Sequence, residues 1–121
     1  VIEIEHDEVE SIYYNFWKAA HCDYMPEPLD LQMFDAAINH GPGRAIKLLQ
    51  EVLGVEIDGI CGRETMKALH EEILATSITD ICKKYLDARS WFYDRIITTD
   101  PSQSVFARGW MNRIDTMQEY V

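Results

Sequence analysis

Apolar residues recur at three- and four-residue intervals along most of this chain, the spacing of helices that each cover one face. Val9, Ile12, Tyr13, Phe16, Trp17 and Ala20 predict a first helix from Asp7 or Glu8 to Ala20, with that stripe toward the core. His21 to Pro28 reads as a connection, because Pro26 and Pro28 resist helix. Leu31, Phe34, Ala37 and Ile38 share one face of a second helix, from Pro28 or Leu29 to Asn39. Ala45, Ile46, Leu48, Leu49, Val52 and Leu53 give a third, Pro42 to Leu53, a wide apolar stripe. A fourth carries Met66, Leu69 and Ile73 to about Ala75, and a long fifth repeats Ile78, Ile81, Cys82, Tyr85, Leu86, Arg89, Phe92, Tyr93 and Ile96. The last runs from Val105 or Phe106 to about Tyr120, with Trp110 as an anchor and Arg108 and Arg113 packing back on the core.

The punctuation between these runs is specific. Gly41 stands where a helix end favours a left-handed residue, and Pro42 can open the next helix because a first-turn N–H is unpaired anyway. Asp58-Gly59 is turn chemistry, with Gln50 facing it as a tie. Asp58, Gly59, Gly62 and Thr65 read as a corner that docks two helices. Ser77-Ile78-Thr79-Asp80 resembles a capping box, and Asp100-Pro101-Ser102 ends the fifth helix. Nothing reads as a strand. The expected fold is all-α, a single helical domain of about six helices over residues 1–121, divided near residue 76 into a corner-bearing part (8–75) and two C-terminal helices (77–121).

Charge narrows the partners. Twenty-one acidic against eleven basic residues leave a formal −10, which argues against nucleic acid and suits a protein partner with a basic face. No apolar run reaches the ~18–20 residues of a membrane span, and Val1–Glu8 has no signal-peptide pattern, so a product made in the cytoplasm is expected. Cys22, Cys61 and Cys82 lie far apart and read as reduced structural thiols. His21, Cys22 and Asp23 are adjacent and cannot easily converge on one ion, so no metal is expected. No phosphate loop, nucleophile signature or zinc motif is present, and no cofactor is expected.

Four residues carry candidate binding chemistry. Tyr13 and Trp17 are readable as core or as a sugar platform, since their polar tips suit a half-wet wall. Asp35, at the edge of the second helix's apolar stripe, is either a partly buried carboxylate bonded to a neighbour or one facing a cleft. Asn39 either caps the corner or presents its amide to a ligand. His40 reads as a solvent-facing turn residue, and Arg44 with Lys47 as a solvated basic spot. Arg89, on an apolar stripe, needs a partner, and Asp35 is the simplest one.

The stretch FDAAINHGPGRAIKLLQEVLGVEIDGICGRETMKAL resembles the C-terminal half of the glycoside hydrolase family 108 muramidases, phage endolysins and secretion-activator-like proteins. The likeness lies in Phe34-Asp35, Asn39, Gly41-Pro42, Leu49-Gln50, Asp58-Gly59, Gly62 and Thr65, in that order. Ile12 to Trp17, Arg89 to Tyr93 and Phe106 to Arg113 are similar to further signatures of that family. The resemblance implies a lysozyme-like fold, peptidoglycan glycan strands as the partner, and action at the bacterial cell wall, after holin release if the chain is an endolysin. It sets Asp35 beside the sugar cleft, with Tyr13, Trp17 and Asn39 as further substrate contacts.

The family's Glu-Gly-Gly-Tyr segment, which bears its catalytic carboxylate, has no counterpart here; no glycine precedes Gly41. The opening on Val1 suggests a fragment or processed product lacking the N-terminal part. Glu10 lies off the first helix's apolar stripe and is a poor substitute. Asp35 is then a weak catalytic candidate, and the chain alone is expected to show little or no hydrolase activity. The alternative is an inactive family member that binds peptidoglycan or a protein partner through its acidic surface.

Overall fold

The computed structural model describes residues 6–121. They form six α-helices, α1 His6–Ala19, α2 Leu29–His40, α3 Pro42–Leu53, α4 Arg63–Ala75, α5 Ile78–Thr99 and α6 Ala107–Gln118. Short 3-10 turns at Cys22–Tyr24 and Pro101–Phe106 complete the path, and no strand occurs among the described residues. The fold is all-α, as the spacing predicts.

Helix ends follow the local chemistry. Gly41 takes φ 95° between α2 and α3, with Pro42 as the first residue of α3. Gly54 (φ 71°) closes α3 in the left-handed conformation that a side chain disfavours. Ser77 Oγ accepts from the Asp80 N–H at 3.1 Å and starts α5.

The main core joins Leu29, Met33, Ala36 and Ala37 of α2 to Ala45, Leu48 and Leu49 of α3, Leu69 of α4, and Ile81 and Tyr85 of α5. A smaller cluster of Leu86, Tyr93, Ile114 and Met117 fixes α6 on α5. The Tyr85 hydroxyl donates to the Ala45 carbonyl at 2.8 Å, so a fully buried phenol is satisfied. All three cysteines are free and buried.

Two faces differ from the sequence expectation. Among the described side chains of α1, Phe16 and Trp17 pack against the core, while Ile12 and Tyr13 are about half exposed. On α2 the residues turned inward are Leu29, Met33, Ala36 and Ala37; Leu31 and Ile38 are exposed. This helix is apolar on two sides, so periodicity alone does not tell which side is covered. Arg108 is exposed rather than packed on the core.

The second corner is built around Gln50, which is 1% exposed. Its Oε1 accepts from the backbone N–H groups of Asp58 (3.0 Å) and Gly59 (2.9 Å). Its Nε2 lies 2.8 Å from Asp58 Oδ1, 3.0 Å from the Ile60 carbonyl and 3.1 Å from Thr65 Oγ1. The Ile60 N–H and the Gln50 amide hold the Asp58 carboxyl below its usual range.

Candidate functional site: an aromatic wall beside a buried carboxylate

Three helices bring one carboxylate and two guanidinium groups together. Asp35 on α2 is 4% exposed and Arg89 on α5 is fully buried. Arg89 Nη1 donates to Asp35 Oδ2 at 2.7 Å. From α6, Arg113 donates to Asp35 Oδ1 through Nε at 2.7 Å and also through Nη2. Both carboxylate oxygens therefore accept from guanidinium donors, and the bond to Asp35 raises the Arg113 guanidinium further. The side chain of Arg113 remains 48% exposed.

Arg89 also fixes the end of α2. Its Nε donates to His40 Nε2 at 3.0 Å, which requires the neutral imidazole with its proton on Nδ1. The His40 ring packs edge-on against Phe92, with centroids 5.2 Å apart, and against Tyr93 at 4.8 Å. Burial, then the Arg89 charge, lower its pKa to about 4, Asp35 opposing and Arg44 adding to the fall. His40 is thus half-buried structure and not a solvent-facing turn residue. The Arg44 guanidinium lies over the Phe92 ring at 4.8 Å, so this half of the basic spot packs on α5.

Outward from this centre, Leu31, Phe34 and Ile38 of α2 and Met117 and Tyr120 near the chain end line a groove of about 260 Å³. Asp35 and Arg113 are the charged groups in it. The exposed side of α2 is therefore one wall of this groove. Phe34 continues into a second hollow with Tyr13, Tyr14, Trp17 and Asp23. Tyr13 and Trp17 meet Phe34 edge-on, with centroids 6.3 and 5.4 Å apart. Trp17 Nε1 donates to Asp23 Oδ1 at 2.7 Å, which fixes the indole orientation.

Tyr13, Trp17 and Asp35 thus lie along one surface with Phe34 between them. Asn39 does not line either hollow; its amide donates to the Asp35 carbonyl one turn back, at 2.8 Å. Arg113 and Phe34 are among several residues of this surface, Leu31, Ile38 and Tyr120 included, that have no binding role in the sequence expectation. A signal for Arg113 was present, since Trp110, Arg113 and Met117 fall on one stripe of α6, as Arg89 does on α5. Among the described residues, no group of three or more His, Cys, Asp or Glu is placed to hold a metal, and no helix is long and apolar enough to cross a membrane.

This helix order and core define a lysozyme-like all-α protein. The chain belongs to the family described as Predicted Peptidoglycan domain, whose model matches residues 44–115. The Glycosyl hydrolase 108 model matches residues 1–41, so the two matches meet at the Gly41-Pro42-Gly43 corner. The solved structure of Brucella abortus SagA is similar over 96% of this chain, with 28% identity and a TM-score of 0.83. This chain spans 63% of the length of that protein. A comparison with curated proteins finds no match.

Proposed function

We infer that this chain forms the glycan-facing, peptidoglycan-binding wall of an endolysin-type N-acetylmuramidase, acting as one helical unit at the bacterial cell wall. The observation that carries this reading is the run of Tyr13, Trp17 and Phe34 into a groove whose charged groups are Asp35 and Arg113. Pyranose rings present apolar faces that stack on aromatic rings, and the half-wet setting of Tyr13 and Trp17 suits that contact. The two family matches support the same setting.

In this reading Tyr13 and Trp17 touch sugar, and Asp35 organises the groove. Asn39 steadies the end of α2, and its exposed position leaves it free to meet an N-acetyl group at the rim. Glycoside hydrolysis needs a carboxylic acid that gives its proton to the leaving oxygen. Asp35 offers both oxygens to guanidinium donors, which fits an organiser better than a proton donor. The proton donor of the whole enzyme is assigned to a residue outside this wall, and release through a holin is the route that an endolysin would take.

The test uses purified peptidoglycan. The 121-residue chain should co-sediment with it and release no soluble reducing sugar. Tyr13→Ala with Trp17→Ala should abolish most of the co-sedimentation while far-UV circular dichroism stays unchanged. Absence of binding by the unaltered chain, or binding indifferent to the double substitution, would overturn the reading. Release of reducing sugar would instead make one of its own carboxylates the acid.

A further inference from the structure

The Asp35 cluster has more positive charge and more donors than its own acceptor can use. One carboxylate faces two guanidinium groups, an excess of one positive charge, in a chain whose formal charge is −10. His40, on the other side of Arg89, is neutral and adds no negative charge. Arg113 spends Nε and Nη2 on Asp35, and its Nη1 has no acceptor among the described residues. Arg89 Nη2, fully buried, has none either. Buried guanidinium donors are ordinarily matched by oxygen acceptors, so Arg89 Nη2 is an exception, whereas Arg113 Nη1, on a side chain 48% exposed, faces solvent and is open to an acceptor from outside.

We propose that Arg113, held in place by Asp35, is the anion-binding residue of the α2–α6 groove and takes the carboxylate of a short peptide attached to the glycan, the peptide's apolar part lying on Leu31, Phe34, Ile38 and Met117. The proposal rests on the peptidoglycan reading above and names which part of that polymer this groove holds. A planar guanidinium pinned along its Nε–Nη2 edge keeps its Nη1 N–H groups in a fixed direction, which lowers the ordering cost of a charge-assisted bond. Leu31, Phe34, Ile38 and Met117 make the walls beside it largely apolar, with Thr116 and Tyr120 as polar edges, and this strengthens the bond relative to open water. Asp35 acts here as a positioning residue. An intact sugar ring without a carboxylate would meet only the aromatic hollow.

The test is titration of the 15N-labelled chain with three soluble probes. These are a disaccharide-tetrapeptide with free carboxylates, the same molecule with its carboxylates amidated, and an N-acetylglucosamine oligomer. The free-carboxylate probe should shift the Arg113 Nε–Hε resonance and bind about tenfold or more tightly than the amide. Arg113→Gln should bring the two peptide probes to equal affinity, with the far-UV circular dichroism of the chain retained. Arg113→Lys, which keeps the charge but not the fork, should keep only part of the preference. Equal binding of acid and amide by the unaltered chain, or a preference that survives Arg113→Gln, would overturn the proposal. Co-sedimentation with whole peptidoglycan separates the two ideas. Binding there without carboxylate preference removes only the Arg113 assignment, whereas the preference without co-sedimentation removes only the peptidoglycan reading. Loss of both overturns both.

Discussion

Arg89 and Asp35 stand 54 positions apart in the chain and 2.7 Å apart in the fold, with Arg89 fully buried and Asp35 nearly so. Removing one member of such a pair leaves an uncompensated buried charge. Asp35→Ala is expected to cost about 3–5 kcal/mol of unfolding free energy, because it strands the Arg89 guanidinium and frees Arg113 from α2. Urea denaturation measures it. A cost below about 1 kcal/mol would mean that water reaches Arg89 easily and that the pair does not hold α2 to α5.

The Gln50 amide is the other long-range tie. Its Nε2 carries two protons for three neighbouring oxygens, and its Oε1 receives two backbone N–H groups. Gln50→Ala removes all of these and opens a cavity, with an expected loss of about 2–4 kcal/mol. Gln50→Glu keeps the shape but supplies no proton to Asp58 or Ile60, and should cost nearly as much. Thermal unfolding should show a drop in Tm of roughly 3–6 °C per kcal/mol lost. A Gln50→Glu variant as stable as the parent would refute the donor role of Nε2.

His40 makes stability depend on pH. Its folded pKa, about 4, lies below the unfolded value of 6.5, so the unfolded chain binds the proton first as pH falls. The contribution is fully present above pH 6.5 and is lost progressively between pH 6.5 and 4, a change on the order of 2–3 kcal/mol. His40→Gln keeps an acceptor for Arg89 Nε but cannot titrate. Its stability curve should be flatter than the parent's across that window, and equal slopes would remove His40 as the cause.

The aromatic wall should separate binding from folding. Tyr13 is half exposed, so Tyr13→Ala should change stability by less than about 1 kcal/mol. Loss of a stacked aromatic at a binding surface is expected to weaken glycan affinity by about 5–30-fold, or 1–2 kcal/mol. Titration with a soluble glycan strand checks it. Comparable losses of affinity and of stability would show that the ring acts through the fold.

Much of this architecture was legible in the sequence because glycine, proline and serine mark helix ends by backbone chemistry. Gly41-Pro42, Gly54 and Ser77 place three boundaries to within a residue or so. The Gln50 tie and the Arg89–Asp35 pair were legible too, since a polar group on an apolar stripe must find a partner. The facing of α2 was not. Leu31, Phe34 and Ile38 have the spacing of a core stripe, and so do Leu29, Met33, Ala36 and Ala37; only the packing of α1, α3 and α5 decides which set is covered, and it leaves Phe34 partly buried. His40 was misread for a similar reason, because its surroundings come from α5, about fifty residues later in the chain.

The three thiols give the molecule a built-in gauge of its own opening. Burial pushes Cys22 up to about 12 and Cys82 up to about 11, and raises Cys61 as well, so the reactive thiolate is scarce while the fold is closed. The three lie before α2, in the Gln50 corner and on α5, so each reports a different region. Alkylation rates read by mass spectrometry would rank the order in which those regions let solvent in, with no label added to the chain.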